Sequence, residues 1–224
     1  MKTNTLKTQM MISYVELQGL SAQNEEIVLP RLMDLIHESG GVIDRMGGNG
    51  FTIYWSSSVE SYDAVRNSVR AMSRIQDAVA ELNRKLAKRR IPSSFRLKAA
   101  MAYQEISGEV AVQFSVASRT LAASKVRIAI ELCAQNGFLG TDLLMDRECA
   151  EKIGRWHPTE LAGRVRMRNS AGGQPMPLFR FPSLMAVPDY PNVSRREKSG
   201  EIVISPSVDQ LEGQLEDVVV SMLR

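Results

Sequence analysis

The chain has 224 residues, enough for one domain with a full hydrophobic core that folds without disulfides or metals. Its 44% hydrophobic and 24% charged residues lie near globular averages and exclude a mostly disordered or collagen-like chain. The 28 basic and 25 acidic side chains are too evenly balanced to indicate a dedicated nucleic-acid binder, so charge alone identifies no partner.

Two further features of the sequence concern the compartment. The cysteines are Cys133 and Cys149, in no metal-like spacing, and such sparse usage fits a reducing compartment in which thiols stay free. No apolar run approaches the length of about 20 residues that a membrane-spanning helix needs, and residues 1–7 carry no signal-peptide pattern. We therefore expect a cytoplasmic protein without a membrane span.

The first elements are predicted from apolar runs and turn residues. A mostly apolar strand is expected over residues 8–16. A helix is expected over 24–39, kinked or restarted by Pro30 and ended by Gly40 and Gly41.

A hairpin and a long helix follow. Residues 42–46 and 51–55 form two short strand-like runs, and the Asn49-Gly50 pair between them supplies the positive backbone angles of a tight turn. Apolar residues recur every three or four positions over 61–88, which predicts an amphipathic helix ending in a basic cluster. Cations at that end suit the helix dipole, an interpretation that competes with binding of nucleic acid or an acidic partner.

The second half of the chain alternates strands and helices. In chain order we expect strands at 95–103 and 108–116, a helix at 118–134, a strand at 137–140, a helix at 142–153, and strands at 164–168 and 177–181.

A polar, proline-containing stretch over 188–200 predicts a linker after the main domain. The expected division is therefore a domain at 1–185, followed at 186–224 by the linker and a short C-terminal strand or helix extension. In that extension, five apolar residues follow the spacing of one helical stripe: Val208, Leu211, Leu215, Val218 and Met222.

The hairpin segment 40–50, GGVIDRMGGNG, resembles the GGxxxKxxGDG pattern of class III nucleotidyl (adenylate and guanylate) cyclase domains. The spacing matches, with Arg45 at the Lys position and Asn49 at the Asp position. The competing resemblance is to the RxGGDEF hairpin of diguanylate cyclases, whose fold is related. The long helix and the end of the domain favour class III.

Two other stretches support the same resemblance. Residues 15–21 are similar to the family's DIxGFT strand end, which puts Glu16 where the second metal-binding Asp stands. Residues 104–108, beginning at Gln104, resemble the TGEVVxG stretch. The resemblance covers about residues 8 to 182.

The resemblance implies an α+β fold of the ferredoxin-like class III cyclase type: an antiparallel or mixed sheet with helices packed on one face, plus a short C-terminal extension. It also implies head-to-tail association, so we expect a homodimer or a heterodimer with a related cyclase-like chain. Nucleic acid is not an expected partner.

Catalysis in the resembled family needs two carboxylates that hold two magnesium ions around a nucleotide triphosphate. Magnesium prefers anionic oxygens at short, near-octahedral distances. Here Asn49 offers a neutral amide, and Glu16 moves its charge outward by one methylene. Both residues are therefore weak candidate metal ligands. Asn49 also suits the hairpin turn, and Glu16 also suits a solvated strand end, whatever the function.

The family's VNxAxR helix supplies an asparagine and an arginine, and the matching stretch here is TLAASKVR at 120–127. One register places Ala122 and Val126 at those two positions, and the next places Ala123 and Arg127. Neither register supplies the asparagine.

We therefore expect a catalytically degenerate domain that acts as a regulatory nucleotide- or protein-binding module in intracellular signalling. Arg45, Gly48, Gly50 and Gln104 are the predicted nucleotide-binding residues, and no catalytic residue is predicted. No cofactor is required, and any residual activity would use magnesium or manganese with ATP or GTP. The alternatives are a low-activity adenylate or guanylate cyclase and a structural dimerisation module with an empty cleft.

Overall fold

A computed structural model of the chain describes residues 7–47, 50–59, 61–89, 95–107, 116–165 and 175–182. These residues form seven strands and four helices, in this order: β1 (Lys7–Gln18), α1 (Ala22–Glu38), β2 (Val42–Gly47), β3 (Gly50–Ser58), α2 (Asp63–Lys88), β4 (Arg96–Ser107), α3 (Val116–Leu139), β5 (Leu143–Met145), α4 (Arg147–Ile153), β6 (Glu160–Val165) and β7 (Met176–Arg180).

The strands form one mixed sheet in the order β2-β3-β1-β4-β5-β7-β6. All neighbouring pairs are antiparallel except β4 and β5, which are parallel. The two longest strands, β1 and β4, lie side by side near the centre, because their apolar residues are buried on both faces. The predicted α+β fold with a mixed sheet is confirmed.

Helices cover both faces of this sheet, whereas the resemblance led us to expect them on one. Met11 and Val15 of β1 join a core that contains α1 and α2 residues such as Leu32 and Met72. Residues at alternate positions, including Met10 and Ile12, point to the other face, where α3 packs. We call this second surface the α3 face. A strand such as β1, which is buried at most positions on both faces, needs such cover on both sides.

The structure contains the first helix, the hairpin and the long second helix that the sequence patterns predicted. α1 continues as one helix through Pro30 and ends before Gly40, whose φ of +74° only glycine adopts readily. The hairpin strands pair as expected, with Val42 opposite Tyr54. α2 buries the predicted stripe, including Val65, Val69, Met72, Ile75 and Val79.

Two predictions in the second half are wrong. Residues 137–139 are not a strand but the last turn of α3, which ends at Gly140 with a φ of +59°. Residues 142–145 are not helical, because Leu143–Met145 forms β5 and extends the sheet beside β4. The helix begins only after Asp146, whose carboxylate accepts a hydrogen bond of 2.7 Å from the Cys149 N–H and so caps it.

Several predictions fall on residues outside the described part of the chain. These are most of the strand at 108–116, where only Val116 is described, as the first residue of α3, and the extension at 186–224. Among the helices that are described, none has the length and apolar character required to cross a membrane.

Candidate functional site

The candidate site lies where β3, β1 and β4 run side by side, at the end of the hairpin. The antiparallel register places Glu16 of β1 directly opposite Gly50 of β3 on one side and Lys98 of β4 on the other. Gly50 directly follows Asn49, so the two stretches that carry the cyclase resemblance meet at this point of the sheet. The row Gly50, Glu16 and Lys98 therefore combines a glycine backbone, a carboxylate and an ammonium.

Tyr14 covers the glycine end of this row. Side chains two positions apart on a strand share a face, so Tyr14 and Glu16 point to the same side. A β carbon built on Gly50 would collide with the Tyr14 hydroxyl, which shows how closely the phenol lies over that backbone. Burial, with smaller contributions from Cys133 and Glu16, raises the pKa of Tyr14 to about 12. The phenol is therefore a neutral hydrogen-bond donor at physiological pH.

The C-terminal half of α3 covers the lysine end of the row. Asn136 is fully buried, and its amide nitrogen donates hydrogen bonds of 2.8 Å to the Ala99 carbonyl and 3.1 Å to the Cys133 carbonyl. The Lys98 nitrogen lies 3.5 Å from the position that a β carbon on Gly137 would take. The Lys98 side chain therefore extends from β4 toward α3.

The buried thiol of Cys133 is influenced by both charges of the row. Burial is the main reason why its pKa rises to about 12; the Glu16 carboxylate raises it further, and the Lys98 ammonium lowers it. Both cysteines are free and buried. Cys133 is thus an inert core residue whose thiol stays protonated at physiological pH.

Of the three residues in this row, one carries a carboxylate, which is fewer anionic ligands than a two-magnesium centre needs. A magnesium site needs several hard oxygen ligands, preferably anionic, and an adjacent ammonium repels a divalent cation. Here the carboxylate of Glu16 has an ammonium as its cross-strand neighbour. Over the described ranges, no group of three or more His, Cys, Asp or Glu side chains is arranged to hold a metal ion.

The other predicted nucleotide-binding residues are partly visible. Arg45 lies on β2, opposite Thr52, just beyond a register shift in the hairpin. Gly48 and Asn49 lie outside the described residues. Of the predicted nucleotide-binding residues that the structure describes, Gly50 is the one that lies next to Glu16, as its partner in the pairing of β1 with β3.

Gln104 lies away from this row. It pairs with Met10, six positions along β1 from Glu16, which corresponds to roughly 20 Å of extended strand. Gln104 instead lines a separate cavity of about 390 Å³ between β4 and α4, together with Tyr103, Glu105, Glu148, Glu151 and Lys152. A ligand at Glu16 and one at Gln104 would occupy different sites.

Residues 120–127 can be aligned with the family's VNxAxR helix in two ways, and neither alignment places an arginine beside Glu16. Val126 packs into the apolar cluster of Met10, Ile12, Tyr54 and Ile106. Arg127 points outward with 64% of its side chain exposed, 3.9 Å from Glu131. The helix thus uses these positions for packing and for a surface ion pair.

Lys125, between those positions, is a structural residue that the sequence did not reveal. Its ammonium lies 3.2 Å from the Asp146 carboxylate and 2.6 Å from that of Glu148, and the Lys125 side chain is only 19% exposed. Burial alone would lower its pKa, but the two carboxylates outweigh burial and raise it. Burial also raises the pKa of Asp146 despite the lysine. This ion pair ties α3 to the start of α4.

The sequence also missed Lys98 and Tyr14. Their only local signal was a polar group within a mostly apolar strand: Lys98 lies in RLKAAMA and Tyr14 in MISYVE. Knowing that Lys98 faces Glu16 requires the register between two strands about 80 residues apart, which no local pattern supplies.

Comparison with known proteins gives a likeness in structure but not in sequence. No protein-family model matches the chain, and no curated protein sequence is detectably similar. The adenylyl cyclase CyaB from P. aeruginosa matches with a TM-score of 0.58 at 11% identity, over 82% of this chain and 98% of that one. The guanylyl cyclase Cya2 matches with a TM-score of 0.50 at 15% identity, over 78% and 92%.

A third similar structure is an adenylate/guanylate cyclase/hydrolase from Silicibacter pomeroyi. Its TM-score is 0.53 at 14% identity, and the match spans 80% of this chain and 99% of that one. These structural matches establish the architecture of the domain. At identities this low, they give no information on its chemistry, which must be inferred from the residues of the site. The described residues therefore have the fold of class III adenylyl and guanylyl cyclase domains.

Proposed function

We propose that this protein is a non-catalytic cyclase-like domain that binds a nucleotide and acts as a regulatory module in intracellular signalling. The observation that carries the proposal is the row Gly50, Glu16 and Lys98, in which a single carboxylate residue on a cyclase-type sheet lies between a glycine and a lysine. The scaffold for a nucleotide is retained, whereas the paired carboxylates that turnover needs are not. ATP and GTP are the proposed ligands.

The loss of catalytic groups supports the absence of turnover. Removing one pre-organised electrostatic group costs on the order of 100- to 1000-fold in rate. Asn49 stands at the position of a metal-binding carboxylate, and either register of residues 120–127 puts an alanine, Ala122 or Ala123, at the family's asparagine position, so each change removes such a group from the cyclase pattern. Binding energy that is not specific to the transition state survives these losses, so a ligand can still bind without reacting.

The proposed assembly is a homodimer or a heterodimer with a related cyclase-like chain, in the cytoplasm. Class III cyclase sites form between two domains, so a partner would supply the other wall of the site beside Glu16. The absence of a membrane-crossing helix from the described residues is compatible with this assignment. Magnesium or manganese is not required in this proposal.

The test is calorimetric titration of the purified chain with ATP, GTP, cyclic AMP and cyclic GMP, with and without magnesium or manganese. Each mixture is also assayed for product by mass spectrometry. Micromolar binding without product supports the proposal. Product formation would instead establish a low-activity cyclase, for which Glu16 is the remaining carboxylate. If no nucleotide binds, the proposal is wrong, and the remaining interpretation is a module that binds a protein or dimerises.

A further inference from the structure

We propose that the cavity of about 390 Å³ between β4 and α4 binds a small zwitterion, a molecule of the α-amino-acid type that carries one ammonium and one carboxylate. This cavity is separate from the row of Gly50, Glu16 and Lys98. The inference is independent of nucleotide binding, and it adds a second small-molecule ligand to the proposed regulatory module.

The buried residue of the cavity lining, Tyr103, presents a hydroxyl that can serve a ligand. Tyr103 is only 3% exposed, and in the described part of the chain no group lies in hydrogen-bonding geometry with its hydroxyl. Burial raises the pKa of this phenol, an effect that Lys152 opposes in part, so the hydroxyl is a neutral donor at physiological pH. Buried polar groups of this kind are rare in folded proteins, and a bound molecule that accepts the O–H would satisfy this one.

Two of the three carboxylates around the cavity have cations of their own. Glu105 lies 2.9 Å from the Lys7 ammonium, and Glu148 lies 2.6 Å from the Lys125 ammonium. These ion pairs offset two negative charges, so the lining is less acidic than its three carboxylates suggest. A cationic ligand would have to compete with both pairs.

The remaining two charges of the lining are opposite in sign and adjacent in sequence. Over the described ranges, neither Glu151 nor Lys152 forms an ion pair of 4.0 Å or less. The Lys152 ammonium lies 4.8 Å from the centre of the Tyr103 ring, so the ammonium and the phenol can contact the same anionic group. An α-amino acid carries its ammonium and its carboxylate one carbon apart, which matches two opposite charges on neighbouring residues.

A ligand with a single charge fits this lining less well. An anion at Lys152 would meet the Glu151 carboxylate, and a cation at Glu151 would meet the Lys152 ammonium. A zwitterion directs its carboxylate to Lys152 and the Tyr103 O–H, and its ammonium to Glu151. Each of these groups then gains a charge-assisted hydrogen bond, which is roughly twice as strong as a neutral one.

The experiment is calorimetric titration of the whole chain with the common L-amino acids, one at a time. The amino acid that binds most tightly is then compared with two analogues of the same side chain: the acid that lacks the amino group and the amine that lacks the carboxylate. We expect each analogue to bind about 10- to 100-fold more weakly, the usual loss for a hydrogen bond to a charged group. An analogue that binds as tightly as the amino acid, or no binding by any amino acid, would overturn the proposal.

Variants test whether the amino acid occupies this cavity. Lys152→Met should weaken its binding by about tenfold or more, and Glu151→Gln by about two- to fivefold, because the Glu151 side chain is exposed. Arg147→Met is the matched control, since Arg147 is an exposed cation on the same helix outside the cavity lining, and it should bind like the wild type. Unchanged affinity in both cavity variants would place the ligand elsewhere and refute the assignment.

Tyr103→Phe separates a ligand contact from a role in the fold. Loss of a buried hydroxyl without a partner should leave the melting temperature of the ligand-free protein unchanged or higher, and should weaken amino-acid binding by about 2- to 10-fold. A lower melting temperature with unchanged binding would show that the hydroxyl serves the fold and not the site.

The outcome for this cavity can be distinguished from that for nucleotide binding. Lys152→Met should bind ATP like the wild type, because Lys152 lies outside the row that contains Glu16. A chain that binds an amino acid but no nucleotide would refute the proposed function and support the site at Lys152. A chain that binds ATP but no amino acid would do the reverse.

Discussion

The hydroxyl of Tyr14 lies over the α carbon of Gly50, in the space that a β carbon would need. We therefore expect Gly50→Ala to lower the free energy of unfolding by about 1–3 kcal/mol, the usual cost of overpacking. Tyr14→Leu should relieve the collision. The double variant Tyr14→Leu, Gly50→Ala should therefore lose less unfolding free energy than the sum of the losses in the two single variants. Urea unfolding of all four proteins measures this. Strict additivity would show that the two residues do not touch.

The buried pair of Lys125 and Asp146 gives the largest expected effect on stability. Lys125→Met leaves the Asp146 carboxylate, which is only 5% exposed, without its cation, and we expect a loss of about 3–5 kcal/mol. Arg127→Met is the control on the same helix, where an exposed side chain should change stability by no more than about 0.5 kcal/mol.

Adding Asp146→Asn to Lys125→Met should recover much of that loss, because the amide keeps the acceptor that caps α4 and removes the buried charge. Chemical unfolding of the single and double variants provides the comparison. A double variant as unstable as Lys125→Met would mean that the lysine acts by packing and not by charge.

The Cys133 thiol predicts how stability depends on pH. Its pKa is about 12 in the folded protein, against an ordinary value of 9.0, so above pH 9 the thiol ionises in the unfolded state alone. The unfolded state then binds fewer protons, and stability must fall as pH rises, by up to about 1.4 kcal/mol per pH unit for this group. Cys133→Ala should therefore show a shallower decline between pH 9 and 10 in urea unfolding. Equal slopes would place the thiol in contact with solvent.

Restoring the cyclase carboxylate should not restore catalysis. Asn49→Asp still leaves an alanine, Ala122 or Ala123, at the family's asparagine position, so we expect no cyclic AMP or cyclic GMP above the wild-type level. Mass spectrometry of incubations with ATP or GTP and manganese is the measurement. Product that increases with the concentration of the variant would indicate a site that lost one ligand only, and would contradict the proposed loss of the asparagine's role.

Local patterns predicted those parts of the fold whose signals are long or chemically distinctive. The stripe along α2 extends over seven turns, and the Asn49-Gly50 pair marks a hairpin in almost any context. β5 was missed because Leu143–Met145 is a three-residue run buried on every side, which periodicity cannot distinguish from helix. Asp146, a good helix cap, was the one signal that could have located the start of α4.

The candidate site was predictable only in part, and for a physical reason. Glu16 and Gly50 were identified because a spaced motif surrounds each of them. Lys98 was not, since a lone lysine in an apolar strand acquires meaning only from the residue opposite it, and register depends on the whole sheet. The same holds for Lys125, whose partner Asp146 lies on another element.

The central position of β1 has a consequence for how the chain is made. Its partner β4 lies far along the sequence, with Lys7 opposite Ser107 and Gln18 opposite Arg96, so a nascent chain of 95 residues carries a strand open on one edge. Such an edge is a template for pairing with other chains. Synthesis proceeds at roughly 5–20 residues per second, which leaves β1 half-paired for several seconds before β4 arrives. We therefore expect slow, late closure of the sheet and a need for chaperone protection during synthesis.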